Sequence, residues 1–243
     1  MAIMVVLGAT SDIARATAVA FARQGWDLRL AGRDASALQK IAVDIALRTG
    51  RDVTWSYFDA ADLSSHQAFW ETIAPKAEGV LCAVGMLGDQ HQAEHDWTLA
   101  QTLLQTNFTG LVPVLSMAAN TFEERGRGLI IGIGSVAGDR GRATNYLYGS
   151  AKAGFAAFLS GLRNRLAAKG VHVMTVKPGF VATSMTEGMN LPKKLTATPE
   201  QVAADIVAAA EKKRDIVYTL WFWRWIMRII THIPEGIFKK LKL

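Results

Sequence analysis

Two rhythms of hydrophobic and polar positions run along the chain. Short apolar runs rich in Val, Ile and Leu recur at residues 3–7, 27–31, 53–58, 80–84, 129–133, 171–176 and 215–219. Their length and branching read as buried strands. Between them lie longer stretches with apolar residues three and four apart, at 11–24, 34–49, 64–74 and 151–168, with broken pieces from 95 to 124. These read as amphipathic helices. Strand and helix alternate throughout, which predicts an α/β fold with a seven-stranded parallel sheet covered on both faces. Right-handed crossovers make it a doubly wound, Rossmann-type architecture. No internal repeat is present beyond the alternation itself.

Composition narrows the picture. The 243 residues carry 50% apolar side chains, enough for one sizeable core, and no linker divides them. One domain is expected over residues 1–219, followed by an extension over 220–243. The single cysteine, Cys82, excludes an intramolecular disulfide and fits a reducing, cytoplasmic setting. The apolar run before Gly8 is too short for a signal peptide, and no stretch reaches the roughly 18 apolar residues of a membrane span. Of the net charge of +6, the stretch 220–243 holds +4, so the body has no basic stripe of the kind that grips nucleic acid. The histidines His66, His91, His95, His172 and His232 show no close ligand spacing, and no metal site is expected.

The stretch 135–152 carries the candidate chemistry. Ser135 follows the fifth strand, while Tyr148 and Lys152 stand four apart on one helical face. A phenol is a poor acid at neutral pH unless its phenolate is stabilised, and an ammonium one turn away supplies that stabilisation. A serine hydroxyl beside it can hold a substrate oxygen. The set suits proton transfer at a carbonyl or alcohol oxygen. Tyr146 is a decoy, because the residue four positions on is Ser150.

Ligands of doubly wound sheets sit beyond the carboxyl ends of the strands. The first such end carries Gly8, Thr10, Ser11, Asp12 and Ile13 before a helix, a place where a pyrophosphate is favoured, although an ordinary strand-to-helix turn reads similarly. Arg33 ends the second strand, placed for a 2′-phosphate or standing as a solvated charge at a helix start. Asp59 ends the third, where an acceptor meets an adenine amine. Ala83, Val84 and Gly85 end the fourth with small groups.

Ser135, Tyr148 thirteen residues on and Lys152 four further resemble the catalytic set of the short-chain dehydrogenase/reductase family, and the likeness spans nearly the whole chain. The resemblance implies Tyr148 as acid/base and Lys152 as the group that lowers its pKa and holds the nicotinamide ribose. Ser135 would orient the substrate oxygen, and Asn107 would position a water on a proton relay. It also implies NADP or NAD as cofactor, with Pro178, Gly179, Val181 and Thr183 meeting the nicotinamide end, and a homo-oligomeric assembly. Arg33 tips the balance toward NADPH. Two departures stand out. The glycine turn is reduced to Gly8, Asp12 and Ala14, so Asp12 is expected to turn away from the phosphates and cap the helix. The family's Asn-Asn-Ala-Gly is here Cys82-Ala83-Val84-Gly85.

Within the family the chain is similar to a subgroup that reduces polyprenyl-phosphate-linked 2-keto pentoses. The likeness lies in Gly8–Ile13, Gly85–Asp89, the loop 137–145 and the tail. It implies a lipid-linked sugar substrate and a flavin-dependent oxidase partner. Arg140 and Arg142 are then candidates for a substrate phosphate, or are solvated loop charges. Residues 180–197 form a candidate lid with Met185 over the substrate. The tail mixes Trp221, Trp223 and Trp225 with Arg224 and Arg228, which suits a lipid interface and peripheral membrane contact; packing against protein is the alternative. Two further readings remain open: a soluble reductase of another ketone whose tail serves oligomerisation, and a non-catalytic nucleotide-binding assembly protein.

Overall fold

A computed structural model describes residues 2–241, leaving Lys242 and Leu243 of the extension outside the described residues. The chain runs β1 (Ile3–Leu7), α1 (Asp12–Arg23), β2 (Asp27–Gly32), α2 (Ala35–Thr49), β3 (Val53–Tyr57), α3 (His66–Ile73) and β4 (Ala77–Cys82). It continues through α4 (Gln90–Ala93), α5 (Trp97–Leu104), α6 (Val112–Arg125), β5 (Gly128–Ile133), α7 (Tyr146–Leu166) and β6 (Val171–Pro178). Then follow β7 (Phe180–Val181), β8 (Thr196–Ala197), α8 (Pro199–Glu211), β9 (Ile216–Thr219), α9 (Trp223–His232) and α10 (Glu235–Phe238).

Seven strands form one sheet in the order β3-β2-β1-β4-β5-β6-β9, every neighbour parallel, as the alternation predicts. The sheet separates two apolar layers. One packs α1, α2 and α8 under Met4, Leu28 and Met174; the other packs α3, α6 and α7 under Val5, Val80 and Val173. The order reverses between β1 and β4, and the ends of those strands open the crevice where such sheets bind ligands.

Two boundaries differ from the pattern in ways that matter for the site. The fourth strand is β4 rather than 80–84, starting earlier because Gly79 tolerates an interior strand position. A Cβ there would press on Met4 Cε at 2.7 Å. The shift leaves Ala83, Val84 and Gly85 as free loop. The helix that carries the candidate tyrosine begins at Tyr146 rather than 151, so Tyr148 lies in its first turn.

The candidate lid is a small structure of its own, held by the parallel pair β7–β8. The tail folds back on the body. Trp223 and Met227 are buried with Val136, while Trp221, Trp225 and Ile229 face out. No described helix is long and apolar enough to cross a membrane.

Candidate active site

The candidate acid/base group gathers at the end of β5 and the start of α7. Ser135 is extended (φ −167°), its hydroxyl accepting from Ala137 N at 3.1 Å. One turn of α7 separates Tyr148 from Lys152, which is 4% exposed and donates to Ile133 O at 3.0 Å. Lys152 Nζ lies 5.9 Å from the Tyr148 ring centre. Burial pushes the Tyr148 phenol up, and the Ser135 hydroxyl draws it part of the way back. Burial lowers Lys152 to about 8, with the nearby Cys82 thiol opposing the shift. Lys152 is therefore a weakened cation held inside the protein.

Asn107 sits in a π-helical turn, Gln105–Thr109, between α5 and α6. It is wholly buried and its amide is fully occupied, accepting from Met86 N (3.2 Å) and donating to Met86 O (2.8 Å) and Leu103 O (2.9 Å). Gly85 explains the company it keeps. A Cβ at residue 85 would stand 2.9 Å from Asn107 Oδ1 and 3.1 Å from Lys152 Nζ, so the two groups border one gap that only glycine leaves open.

The carboxyl ends of β1 to β4 enclose a cavity of about 760 Å3 lined by Gly8, Thr10, Ser11, Asp12, Ile13, Arg33, Asp59, Ala83, Val84 and Gly85. Each cofactor residue expected at those strand ends faces it. Gly8 has φ +77°, and a Cβ would meet Val84 N at 2.8 Å, so glycine is required. Ser11 precedes α1 without a side-chain cap bond, leaving the first-turn amides and the helix dipole directed at the cavity. Asp12 stays on the cavity wall and does not cap the helix. Its Oδ2 accepts from Ser184 N (2.8 Å) and Ser184 Oγ (2.9 Å), and Oδ1 accepts from Arg15 at 3.3 Å. The second-glycine position thus became a tie between the phosphate turn and the lid. The donor turn, the cation and the close approaches fit a dinucleotide.

A second cavity of about 750 Å3 continues from the first and holds Ser135, Tyr148, Lys152, Pro178, Gly179, Val181, Thr183 and Met185 in its lining. Its wall contains a residue that sequence reasoning did not place there. Trp223 of α9 lies on Gly179, where a side chain would collide with the indole, and its Nε1 donates to Leu195 O at 3.2 Å. The indole also meets Phe180 edge to face at 5.4 Å. Only the density of tryptophan in the tail hinted at such a role.

The two loop arginines part company. Arg140 is withdrawn from any substrate. Its guanidinium donates to Ile230 O (2.9 Å), Thr231 O (3.2 Å), Ile233 O (2.6 Å) and Glu235 Oε2 (2.7 Å), and it lies 3.8 Å over the Phe238 ring. It anchors the tail by gathering carbonyls at and just past the end of α9. Arg142 does line the cavity. Its Nη2 contacts Met227 Sδ at 3.4 Å, its Nε is buried without a hydrogen-bond partner, and burial lowers its pKa. Asp139 between them is held by Lys177 Nζ (2.5 Å) and Tyr218 Oη (2.8 Å). The histidine reading also needs correction: His91 and His95 come together with Glu94 at the cavity rim.

Residues 2–194 match the short chain dehydrogenase family, and the chain belongs to it. It is an NAD(P)-dependent oxidoreductase of that family. Over 98% of its length it is 35% identical to an uncharacterized oxidoreductase of Mycobacterium tuberculosis, covering 96% of that protein. Over the same share it is 36% identical to an uncharacterized oxidoreductase of Streptomyces coelicolor, covering 95%. Among solved structures it is similar to a short-chain dehydrogenase from Sphingobium yanoikuyae in complex with NADPH (TM-score 0.84, 21% identity, 97% of this chain and 98% of that one). The family match stops before α8, β9 and α9, so the tail that walls the second cavity lies outside the matched residues.

Proposed function

We propose that this enzyme reduces a ketone to a secondary alcohol, and that the ketone is a sugar carried on a polyprenyl phosphate. When bound, the nicotinamide supplies a hydride to the carbonyl carbon. Ser135 holds the carbonyl oxygen and Tyr148 gives it the phenolic proton. Lys152, buried beside the phenol, stabilises the phenolate that remains. Asn107 keeps the gap at Gly85 through which a water can return the proton. Arg33 at the end of β2 favours NADPH over NADH.

The observation that carries the substrate is Arg142. A cation in the wall of a largely apolar cavity, with a buried Nε left unpartnered, is satisfied by an anionic oxygen from the ligand. Its neighbours Trp223, Phe180 and Met185 suit an attached hydrocarbon. The motifs at Gly8–Ile13, Gly85–Asp89 and 137–145 add a likeness to decaprenylphospho-β-D-erythro-pentofuranosid-2-ulose 2-reductase. In that reading a flavin-dependent oxidase makes the ketone. The enzyme acts at the inner face of a membrane, touching it through Trp221, Trp225 and Ile229.

A second reading has its own support: Trp223 and Met227 of the tail are buried against the enzyme's own body, as in a soluble ketone reductase whose exposed face meets another subunit. Turnover of a lipid-phosphate keto-pentose and of a neutral ketone, with NADPH and with NADH, separates the two. Arg142→Gln should raise KM for the phosphorylated substrate about tenfold, the worth of one charge-assisted hydrogen bond, and leave the neutral ketone unchanged. Equal losses on both would remove the phosphate role, and turnover of the neutral ketone alone would favour the second reading.

A further inference from the structure

We propose that His91, Glu94 and His95 form a binding site for a divalent transition metal, zinc in the first instance, at the rim of the substrate cavity. The spacing of three and four places all three on one side of a single helical turn. That turn persists past α4 because Glu94 keeps helical backbone angles (φ −73°, ψ −16°) and His95 N donates to Gln92 O at 3.1 Å. His91 Nδ1 lies 3.4 Å from Glu94 Oε1, and His95 Nε2 lies 3.8 Å from the same oxygen. All three donor atoms fall within 4.8 Å of one another. Tetrahedral zinc, with ligands at about 2.1 Å, holds its donors about 3.4 Å apart. Small rotations of exposed side chains close the difference.

The donor set points to the class of ion. Two imidazoles and one carboxylate suit zinc, nickel or copper, whereas calcium and magnesium take oxygen ligands. A bare His–Glu ion pair would share these distances, so what lies behind the ligands matters. Tyr146 Oη donates to Glu94 Oε2 at 3.2 Å, which leaves Oε1 facing the histidines, the arrangement by which outer groups orient a metal-binding carboxylate. The turn is also fastened at its start by two bonds. Gln92 N donates to the Asp89 cap at 3.0 Å, and Gln90 Oε1 accepts from Leu147 N at 3.0 Å, next to Tyr148. Tyr146, without a partner lysine for catalysis, has a use here.

Three protein ligands leave a fourth position on the metal. His91 and Glu94 both line the substrate cavity, so that position is open to an anionic oxygen of a molecule entering it. The site stands independently of which ketone is reduced. The test is calorimetric titration of zinc chloride into the full chain and into Glu94→Gln, His95→Ala and Tyr146→Phe. One ion per chain is expected, bound about tenfold more weakly in Tyr146→Phe, the usual loss for an outer-sphere partner, and more weakly still in the other two. NADPH binding should stay the same in all four proteins, which keeps misfolding apart from ligand loss. No stoichiometric zinc binding by the unaltered chain would overturn the site. So would Glu94→Gln and Tyr146→Phe binding as tightly as the parent, since that is the behaviour of two chance surface imidazoles.

Discussion

Replacing Lys152 by Met tests the claim that the protein stores a weakened cation beside the phenol of Tyr148. Burial holds the folded ammonium at about 8 against 10.5 for a free lysine. The unfolded chain therefore binds more protons than the folded one between those values, so stability rises with pH across that window. At and below pH 7 the difference of about 2.5 units costs the fold roughly 3 kcal/mol at 1.36 kcal/mol per unit. Near pH 9 about 2 kcal/mol of that cost remains. Lys152→Met removes the charge and also the donor to Ile133 O, and a lost hydrogen bond shifts the whole curve by about 1–3 kcal/mol without changing its slope. Urea unfolding of both proteins at pH 7, 8 and 9 reads the slope directly. The unaltered protein should gain about 1 kcal/mol on the variant over that range. Staying at or below pH 9 limits interference from Cys82, whose buried thiol is pushed up to about 11. Parallel stability curves would refute the reasoning, because they would mean that Lys152 titrates alike folded and unfolded.

Two further outcomes test the tail. Arg140→Ala should free it: three carbonyls lose a 14%-exposed cation, about 3 kcal/mol in total once the exposed Glu235 partner is discounted, so residues after 220 become protease-sensitive and KM for the ketone rises while NADPH affinity holds. Protection equal to the parent would show that Arg140 anchors nothing. Trp225→Ser with Ile229→Ser removes half-exposed apolar groups that pack little within the chain (52% and 69% exposed), and co-sedimentation with anionic vesicles should weaken at least tenfold. Unchanged sedimentation would take the membrane out of the proposed function.

Much of the site was legible before any coordinates. Tyr148 and Lys152 follow from a four-residue spacing on one helix, and Ser135 from its place after an apolar run. The strand-end residues follow because a parallel sheet presents all its carboxyl ends on one edge. Where the reading slipped, the cause was contact between segments distant in sequence. Arg140 looked free because nothing within the loop pairs it; its partners lie about ninety residues on. Asp12 looked like a helix cap because its nearest amides are those of α1; the amide that it takes belongs to Ser184. His91 and His95 looked unrelated because the stretch around them carries no strong helical pattern, yet a short capped turn aligns them with Glu94.

Sequence by itself determined the alternation of elements, the sheet they build and the pairing of Tyr148 with Lys152 on one helical face, because each depends on periodicity or on spacing within one element. Tertiary structure alone decided which cations remain available and what walls the substrate cavity. Those outcomes depend on where α9 docks. Arg140 is consumed by the carbonyls at its end, Arg142 keeps an unpartnered Nε beside Met227, and Trp223 closes over Gly179. The docking of a helix is set by the shape and hydrogen-bonding needs of surfaces far apart in the chain, and no local pattern contains them.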